Sequence, residues 1–415
     1  MSNVEITTFG CRLNIYESEA IKEQLKDIPT GDNIIVFNTC AVTKEAEKQA
    51  IQAIRKAKRE YPDKKIVVTG CAAQLDPNKF AQMPEVDKVL GNQEKFDKYN
   101  YSLDNSKVLV NDIMSIKETA GHIVSSFEGM IRSFVQIQNG CNHRCTFCTI
   151  PFARGNSRSV PIATIVEQVK RLVDNGYKEV VLTGVDITDF GLDLPGSPSL
   201  SEMVTRLLKL VPELPMLRLS SLDVAEVDPL LFELMAYESR VMPYVHISLQ
   251  AGDNMILKRM KRRHNREQIL EFCHKLRAIR PETVFGADII AGFPTENEKM
   301  FQNSFDLISQ AGLQLLHVFP YSARENTPAA RMPQIPKQIR KIRAEKLRME
   351  GNKELEKFFI DSIGKIYKVI VEKNDLARSE NFLQVKLPKN HPEGEMLRVK
   401  ITGYKDKFLI ADYVS

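Results

Sequence analysis

A chain of 415 residues with 43% hydrophobic and 27% charged residues and a net charge of +5 is too long for one core and too ordinary in composition for a disordered protein, so two or three globular domains are expected. No apolar run approaches the roughly 18 residues that span a bilayer, and the opening MSNVEITTFG does not read as a secretory signal. Seven cysteines do not read as a disulfide framework; the expected location is cytoplasmic, where thiols stay reduced, with no membrane partner.

Residues 1–125 read as a parallel α/β domain. VEITTFG (Val4–Gly10), NIIVFNT (Asn33–Thr39) and KIVVTG (Lys65–Gly70) have the character of short buried strands. Ala46, Ala50, Ala53, Ile54 and Ala57 keep helical spacing between two of them, and strand–helix–strand alternation implies a parallel sheet. Each strand runs directly into a cysteine: Cys11, Cys40 and Cys71. The carboxyl ends of strands form the ligand-binding edge of an open α/β sheet, so these three are expected to share a site. Buried core thiols are the alternative, but a core cysteine usually sits within a strand.

Residues 126–350 carry a second α/β run. Strands are expected at Ser133–Gln138, Glu179–Thr183, Met216–Ser220, Tyr244–Gln250, Thr283–Ile290 and Gln314–Phe319, with helices such as Ala163–Asn175 and Asn297–Ala311 between them. Six strand–helix units suggest a partial (β/α)6 barrel, with its chemistry at the strand C-terminal ends. NGCNHRCTFCTIPFARG (Asn139–Gly155) follows the first of these strands and holds Cys141, Cys145 and Cys148. A closed zinc site wants four ligands, usually as separated pairs, and His143 would be strained as the fourth. Ferredoxin clusters use four thiolates; a 4Fe–4S cluster on three thiolates keeps one iron open for a substrate-like ligand.

Two stretches are strongly basic. KRMKRRHNR (Lys258–Arg266) has six Lys or Arg and no acid, and Arg324–Arg348 has eight basic residues against Glu325 and Glu345. Charge runs of this kind are usually solvated helix faces; they can also follow a phosphate backbone. A polar helical segment, Lys337–Phe359, leads into residues 351–415. There IYKVIVEK, NFLQVKLP, EMLRVKIT and FLIADYV read as four strands of a small antiparallel β-barrel.

CNHRCTFC followed by Ile150, Pro151 and RGxxRS (Arg154–Ser159) resembles the methylthiotransferase family of radical S-adenosylmethionine (SAM) enzymes. So do SLQAGDNMILKRMKRRH (Ser248–His264), DIIAGFPTE (Asp288–Glu296) and FPYSARENTPAA (Phe319–Ala330), and the likeness covers nearly the whole chain. The family usually has Ser where Ala251 stands and Gly where Asn326 stands. The resemblance implies a radical-generating 4Fe–4S cluster on Cys141, Cys145 and Cys148, with SAM on its open iron. It implies a second 4Fe–4S cluster on Cys11, Cys40 and Cys71 that carries the inserted sulfur, and an RNA-binding TRAM-like barrel at residues 351–415. An electron donor and a sulfur donor are implied partners.

On this reading Phe147 packs against the adenine of SAM. Asp186 accepts from its amino group, or caps a helix, with Gly184 allowing close backbone approach. Ser220 and Gln250 hydrogen-bond the ribose or carboxylate, or are satisfied loop groups. Asp288, a carboxylate in the apolar run DIIAGF, is functional or ion-paired. Arg154 and Arg158 hold substrate phosphate or carboxylate, or form a salt bridge across the barrel mouth. Cys273 is a core thiol.

GCRLN at Gly10–Asn14 resembles the group that modifies threonylcarbamoyladenosine in tRNA. The group acting on isopentenyladenosine usually reads GCQMN there, and the group acting on a ribosomal-protein aspartate GCPKN. The expected reaction inserts methylthio at carbon 2 of the adenine next to the anticodon, with the tRNA anticodon stem-loop as partner. The tail is nearly neutral, with 12 basic and 11 acidic residues from Glu350 to Ser415, so any RNA site on it is a local patch. An iron–sulfur RNA-binding protein without SAM chemistry is the alternative from another class.

Overall fold

Val4–Thr8 (β1), Ile34–Thr39 (β2), Lys65–Gly70 (β3), Lys88–Leu90 (β4) and Val108–Leu109 (β5) form one parallel sheet in sequence order. The computed structural model describes residues 4–26, 33–102, 106–118, 121–122, 124–127 and 129–414. β2 is buried throughout and β3 at all but its first residue, as apolar β-branched runs covered on both faces should be. The helix Lys44–Glu60 starts at Thr43, whose side chain accepts from Ala46 N. Glu45 and Glu47 lie in its first turn and Lys58 and Arg59 in its last, which suits the helix dipole. β4 and β5 were not foreseen; three and two residues are too short to show a period.

The second unit begins with Arg132–Gln136 (β6). Gln138–Asn139 (β7) and Arg158–Ser159 (β8) then pair antiparallel and clip the cysteine loop shut between them. Glu179–Thr183 (β9), Met216–Leu219 (β10), Tyr244–Gln250 (β11), Val284–Ala291 (β12) and Leu315–Pro320 (β13) complete the wall. They make two parallel three-stranded sheets, β10-β9-β6 and β11-β12-β13. Bridges Leu217–Val241 and Leu222–Ile247 join the sheets, giving a six-strand open barrel, and the largest hydrophobic cluster packs the surrounding helices against the outer faces of its strands. No helix among the described residues is long and apolar enough to cross a membrane.

The helix Lys337–Ser362 leads to a closed five-strand barrel: Ile366–Val371 (β14), Leu376–Ser379 (β15), Gln384–Lys386 (β16), Met396–Lys405 (β17) and Phe408–Tyr413 (β18). The sequence pattern predicts four antiparallel strands here. β15 is the extra one, and β16 pairs with β18 in parallel. A closed ring with an odd number of strands cannot alternate direction throughout, so one parallel pair is obligatory.

Phe382, in the turn between β15 and β16, fastens this barrel to the rest. Its ring stacks on Tyr244, centroids 4.6 Å apart. The guanidinium carbons of Arg12, Arg132, Arg218 and Arg378 lie 5.5, 5.2, 5.1 and 4.8 Å from it. Arg218 also donates to the carbonyls of Glu380 and Ser379 while its fork grips Glu179.

Candidate active site

Cys11, Cys40 and Cys71 follow the carboxyl ends of β1, β2 and β3, which are neighbours in the sheet. They line one cavity of about 380 Å3 together with Cys141, Cys145 and Cys148. The backbone is arranged for this. Gly10 has φ +97°, and a Cβ placed there would lie 2.7 Å from Cys40 Sγ. Gly70 has φ +94°, and its Cβ would stand 2.4 Å from the Thr39 carbonyl oxygen. In the second loop a Cβ on Gly140 would overlap the Asn156 carbonyl oxygen at 1.9 Å, so only glycine lets the β7–β8 clip close.

The thiols are a crowded donor set. Burial, and next the neighbouring Cys71, pushes the Cys40 thiol up to about 12. Burial raises Cys148 to about 12 as well, with Cys145 adding to the effect. Cys141 rises through burial and then the nearby Asp186. Such thiols resist becoming bare thiolates, and a cationic iron core relieves both the burial and the mutual repulsion. Each triad supplies three thiolates, one short of a saturated cubane, so the donor set fits two 4Fe–4S clusters that each keep an open position.

Each triad also has its own arginine. Arg154 Nε lies 3.2 Å from Cys71 Sγ, and the guanidinium is held by Glu17, Asn14 and Asn139. Lys95, itself buried, donates to Glu17 at 2.7 Å and Asn92 at 2.8 Å, and Asn92 reaches Cys71 Sγ at 4.0 Å. Burial works against the charge on Arg154, but Cys71 and Glu17 outweigh it and hold its pKa well above the ordinary value. On the other side Arg262 lies 3.6 Å from Cys145 Sγ and pairs with Asp223 at 2.9 Å, whose other oxygen lies 3.1 Å from His264.

Of the residues anticipated as SAM contacts, Phe147, Gly184, Asp186, Gln250 and Asp288 line the cavity; Ser220 does not, and Ser221 takes its place. β10 ends at Leu219, so Ser220 stays inside and its buried hydroxyl finds no partner among the described residues. Phe147 meets Phe293 edge-on, centroids 6.4 Å apart. A Cβ on Gly184 would crowd Gln138 at 2.8 Å. Asp186 makes no helix-capping bond; it accepts from Thr188 at 2.9 Å and from Cys141 Sγ at 3.8 Å, and burial raises its pKa. His143 lies 3.0 Å from this carboxylate. Gln250 has φ +68° where the β11–β12 register slips, a strained conformation at the cavity wall. The Asp288 carboxylate lies 3.1 Å from His246 and 3.3 Å from His317. Burial opposes its charge, but the two histidines overcome this and hold it far below the usual carboxylate range.

Arg154 and Arg158, read as substrate contacts or as a salt bridge, are 2% and 4% exposed, and Arg154 pairs with Glu17 at 2.7 Å. Arg158 donates to the carbonyls of Asn156 and Arg154, so both guanidiniums serve internal acceptors. In the basic stretches Lys258, Lys261, Arg331, Lys337, Lys341, Lys346 and Arg348 are exposed, as on solvated faces, while several arginines have internal partners. Arg259, Arg262 and Arg266 reach Thr295, Asp223 and the carbonyls of Gly252 and Asn303, and Arg263 pairs with Glu226. Arg324 meets Glu47 and the Ala41 carbonyl, and Arg343 meets Glu296. Cys273 is a fully buried core thiol. Ala251 packs beside Leu257 and Phe293, and Asn326, at φ +65°, occupies a left-handed position that explains the family's usual glycine.

A groove of about 930 Å3 adjoins the cavity. Ala41, Ala72 and Thr149, each next to a triad cysteine, line it together with Phe152, Lys44, Lys48, Lys79 and Arg324. Phe152 is 53% exposed.

Residues 135–308 match the Radical SAM superfamily, and residues 3–91 match the uncharacterized protein family UPF0004. Threonylcarbamoyladenosine tRNA methylthiotransferase MtaB of Rickettsia prowazekii (strain Madrid E) is 60% identical over 98% of this chain and 96% of its own length. The protein of the same name from Aquifex aeolicus (strain VF5) is 36% identical over 96% of this chain and 100% of its own. A tRNA-2-methylthio-N(6)-dimethylallyladenosine synthase of Carboxydothermus hydrogenoformans is 30% identical over 96% of both chains. The fold is shared with the radical SAM methyltransferase TsrM of Kitasatospora setae with cobalamin and a [4Fe-4S] cluster bound, at a TM-score of 0.57 and 13% identity over 80% of this chain and 77% of that one. A paired-triad cavity on this fold, with near full-length identity to those relatives, places the chain in the radical SAM methylthiotransferase family, within its threonylcarbamoyladenosine tRNA methylthiotransferase group.

Proposed function

We propose that this protein inserts a methylthio group at carbon 2 of threonylcarbamoyladenosine, next to the anticodon of cytoplasmic tRNA, using two 4Fe–4S clusters and SAM. The observation that carries the reading is the single cavity lined by all six cysteines other than Cys273. Cys141, Cys145 and Cys148 hold one cluster, and Cys11, Cys40 and Cys71 the other. When bound, the first supplies the electron that cleaves SAM to methionine and a 5′-deoxyadenosyl radical. Phe147, Gly184, Asp186, Gln250 and Asp288 bind and orient SAM between the triads and keep water from it. The nucleobase enters beside them, with the adjoining groove taking the neighbouring nucleotides. An electron donor and a sulfur donor act from outside.

The test has two stages. Anaerobically reconstituted protein should lose half of its iron and sulfide when Cys141, Cys145 and Cys148 are all replaced by Ala. Nucleoside analysis of tRNA from a strain lacking the enzyme and then complemented should show the 2-methylthio form of threonylcarbamoyladenosine. Methylthiolation of isopentenyladenosine instead would move the chain to the dimethylallyl group. Iron without SAM cleavage would leave an iron–sulfur RNA-binding protein.

A further inference from the structure

Arg154 belongs to the loop of the second triad, six residues beyond Cys148, yet its side chain serves the first. All five of its N–H groups have acceptors. Nε donates to Cys71 Sγ at 3.2 Å, Nη1 to Glu17 at 2.7 Å and Asn139 at 3.1 Å, and Nη2 to Asn14 at 2.6 Å and Glu17 at 3.0 Å. Asn14 in turn accepts from Cys11 Sγ at 4.0 Å and donates to the carbonyl of Thr39, the neighbour of Cys40. One buried guanidinium thus reaches Cys71 directly and the Cys11 and Cys40 loops through a single amide.

The charges around the two triads differ in sign. Arg154 and Lys95 are two buried cations that share one anion, Glu17, which leaves the first triad beside a net charge of +1. At the second triad Arg262 is one cation facing the carboxylates of Asp223 and Asp186, with Asp189 a further acid acting on Cys141; Arg263 and Glu226 offset each other, and with His143 and His264 counted as neutral imidazoles the balance is negative. Reducing a cluster adds negative charge. A fixed positive neighbour in a poorly screened interior favours that step and a negative one opposes it. Net charge and hydrogen bonds to the sulfurs are what tune such potentials.

We propose that Arg154, braced by Glu17 and Lys95, sets the reduction potential of the cluster on Cys11, Cys40 and Cys71 and holds it above that of the cluster on Cys141, Cys145 and Cys148. Arg154 is a positioning residue here, acting through cluster electrostatics and not on substrate. The inference rests on the two-cluster reading above.

The experiment uses the full chain with Cys141, Cys145 and Cys148 replaced by Ala, reconstituted anaerobically so that only the first triad is loaded. Its midpoint potential is read by redox titration with electron paramagnetic resonance. Arg154→Gln removes the charge. Asn92→Asp subtracts one charge from the network and leaves Arg154 in place, at the cost of the Asn92 Nδ2 contacts to Cys71 Sγ and the Ala153 carbonyl, and Arg154→Lys keeps the charge. Arg154→Gln and Asn92→Asp should each lower the equilibrium constant for one-electron reduction at least tenfold, about 59 mV, and Arg154→Lys should lower it less. The converse protein, with Cys11, Cys40 and Cys71 replaced by Ala, should show a lower potential than the first. Unmoved potentials in Arg154→Gln and Asn92→Asp, with iron retained, would overturn the proposal. If Arg154→Gln holds no iron, Asn92→Asp decides. A parent variant that binds no iron would bring down the cluster assignment of the first triad itself, a result separable from an unmoved potential.

Discussion

A Cβ atom added to Gly10 would sit 2.7 Å from the sulfur of Cys40. The contact is across strands, from the end of β1 to the end of β2, and it occurs where the Gly10 backbone is already left-handed. Gly10→Ala therefore adds a conformational cost of about 1–2 kcal/mol to a clash with the Cys40 sulfur. The expected result is a folded protein that keeps only the iron of the second triad, half the wild-type content. Full iron loading in Gly10→Ala would show that the first triad does not need this close approach.

Glu17 gives a pH signature. Burial opposes its ionisation, but Arg154 and Lys95 overcome this and pull its pKa from 4.5 down to about 2. A carboxyl lowered in this way contributes stability that is complete above pH 4.5 and is lost as pH falls towards 2. The contribution is on the order of 3 kcal/mol. Thermal melts of the cluster-free chain across that window should show an acid limb that flattens in Glu17→Gln. The same substitution should lower the melting temperature at neutral pH, because Arg154 and Lys95 lose their shared anion.

Asp186→Asn tests the SAM side. The carboxylate lies 3.0 Å from His143 and accepts from Thr188 at 2.9 Å, so the isosteric amide should fold and load iron normally. SAM binding to the reconstituted protein, by calorimetry, should weaken about tenfold, or 1.4 kcal/mol. Unchanged SAM affinity would assign Asp186 to bracing the cysteine loop alone.

Phe152→Ala tests the groove. An exposed ring beside a nucleobase contributes about 1–3 kcal/mol by stacking, so binding of an anticodon stem-loop should weaken about fivefold or more with iron and melting temperature unchanged. Lys48→Ala, at an exposed groove position, should reduce the dependence of log K on log salt by about 0.7–0.9. Arg266→Ala should leave that slope unmoved, because its guanidinium is spent on Gly252 and Asn303.

The cysteines were legible because their signal is local: a strand, then a cysteine, three times over, and one compact loop. The six barrel strands were legible for the same reason. What escaped were pairings between distant segments. Arg154 meets Glu17 across 137 residues of sequence, and Lys95 meets it across 78, and no periodicity connects them. Arg262 looks like one of six interchangeable charges in KRMKRRHNR, although it alone among them touches a cavity cysteine's sulfur, that of Cys145, among the described contacts. Ser220 and Ser221 differ only in where β10 stops. The parallel pair in the terminal barrel follows from ring closure, which a list of strands does not show.

The Phe382 ring has a consequence for dissecting the molecule. Arg12, which directly follows Cys11, shares that ring with Arg132 and Arg218 of the central barrel and with Arg378 of its own. The quadrupole of one aromatic face lets these cations approach one another. Cutting the chain before the terminal barrel would remove that ring along with Arg378 and with Glu372, which pairs with Arg132, and would leave Arg12, Arg132 and Arg218 with Glu179 as their anion, a single residue from Cys11. A truncation meant to separate RNA affinity from chemistry would therefore disturb both, and Phe382→Leu within the intact chain is the cleaner instrument.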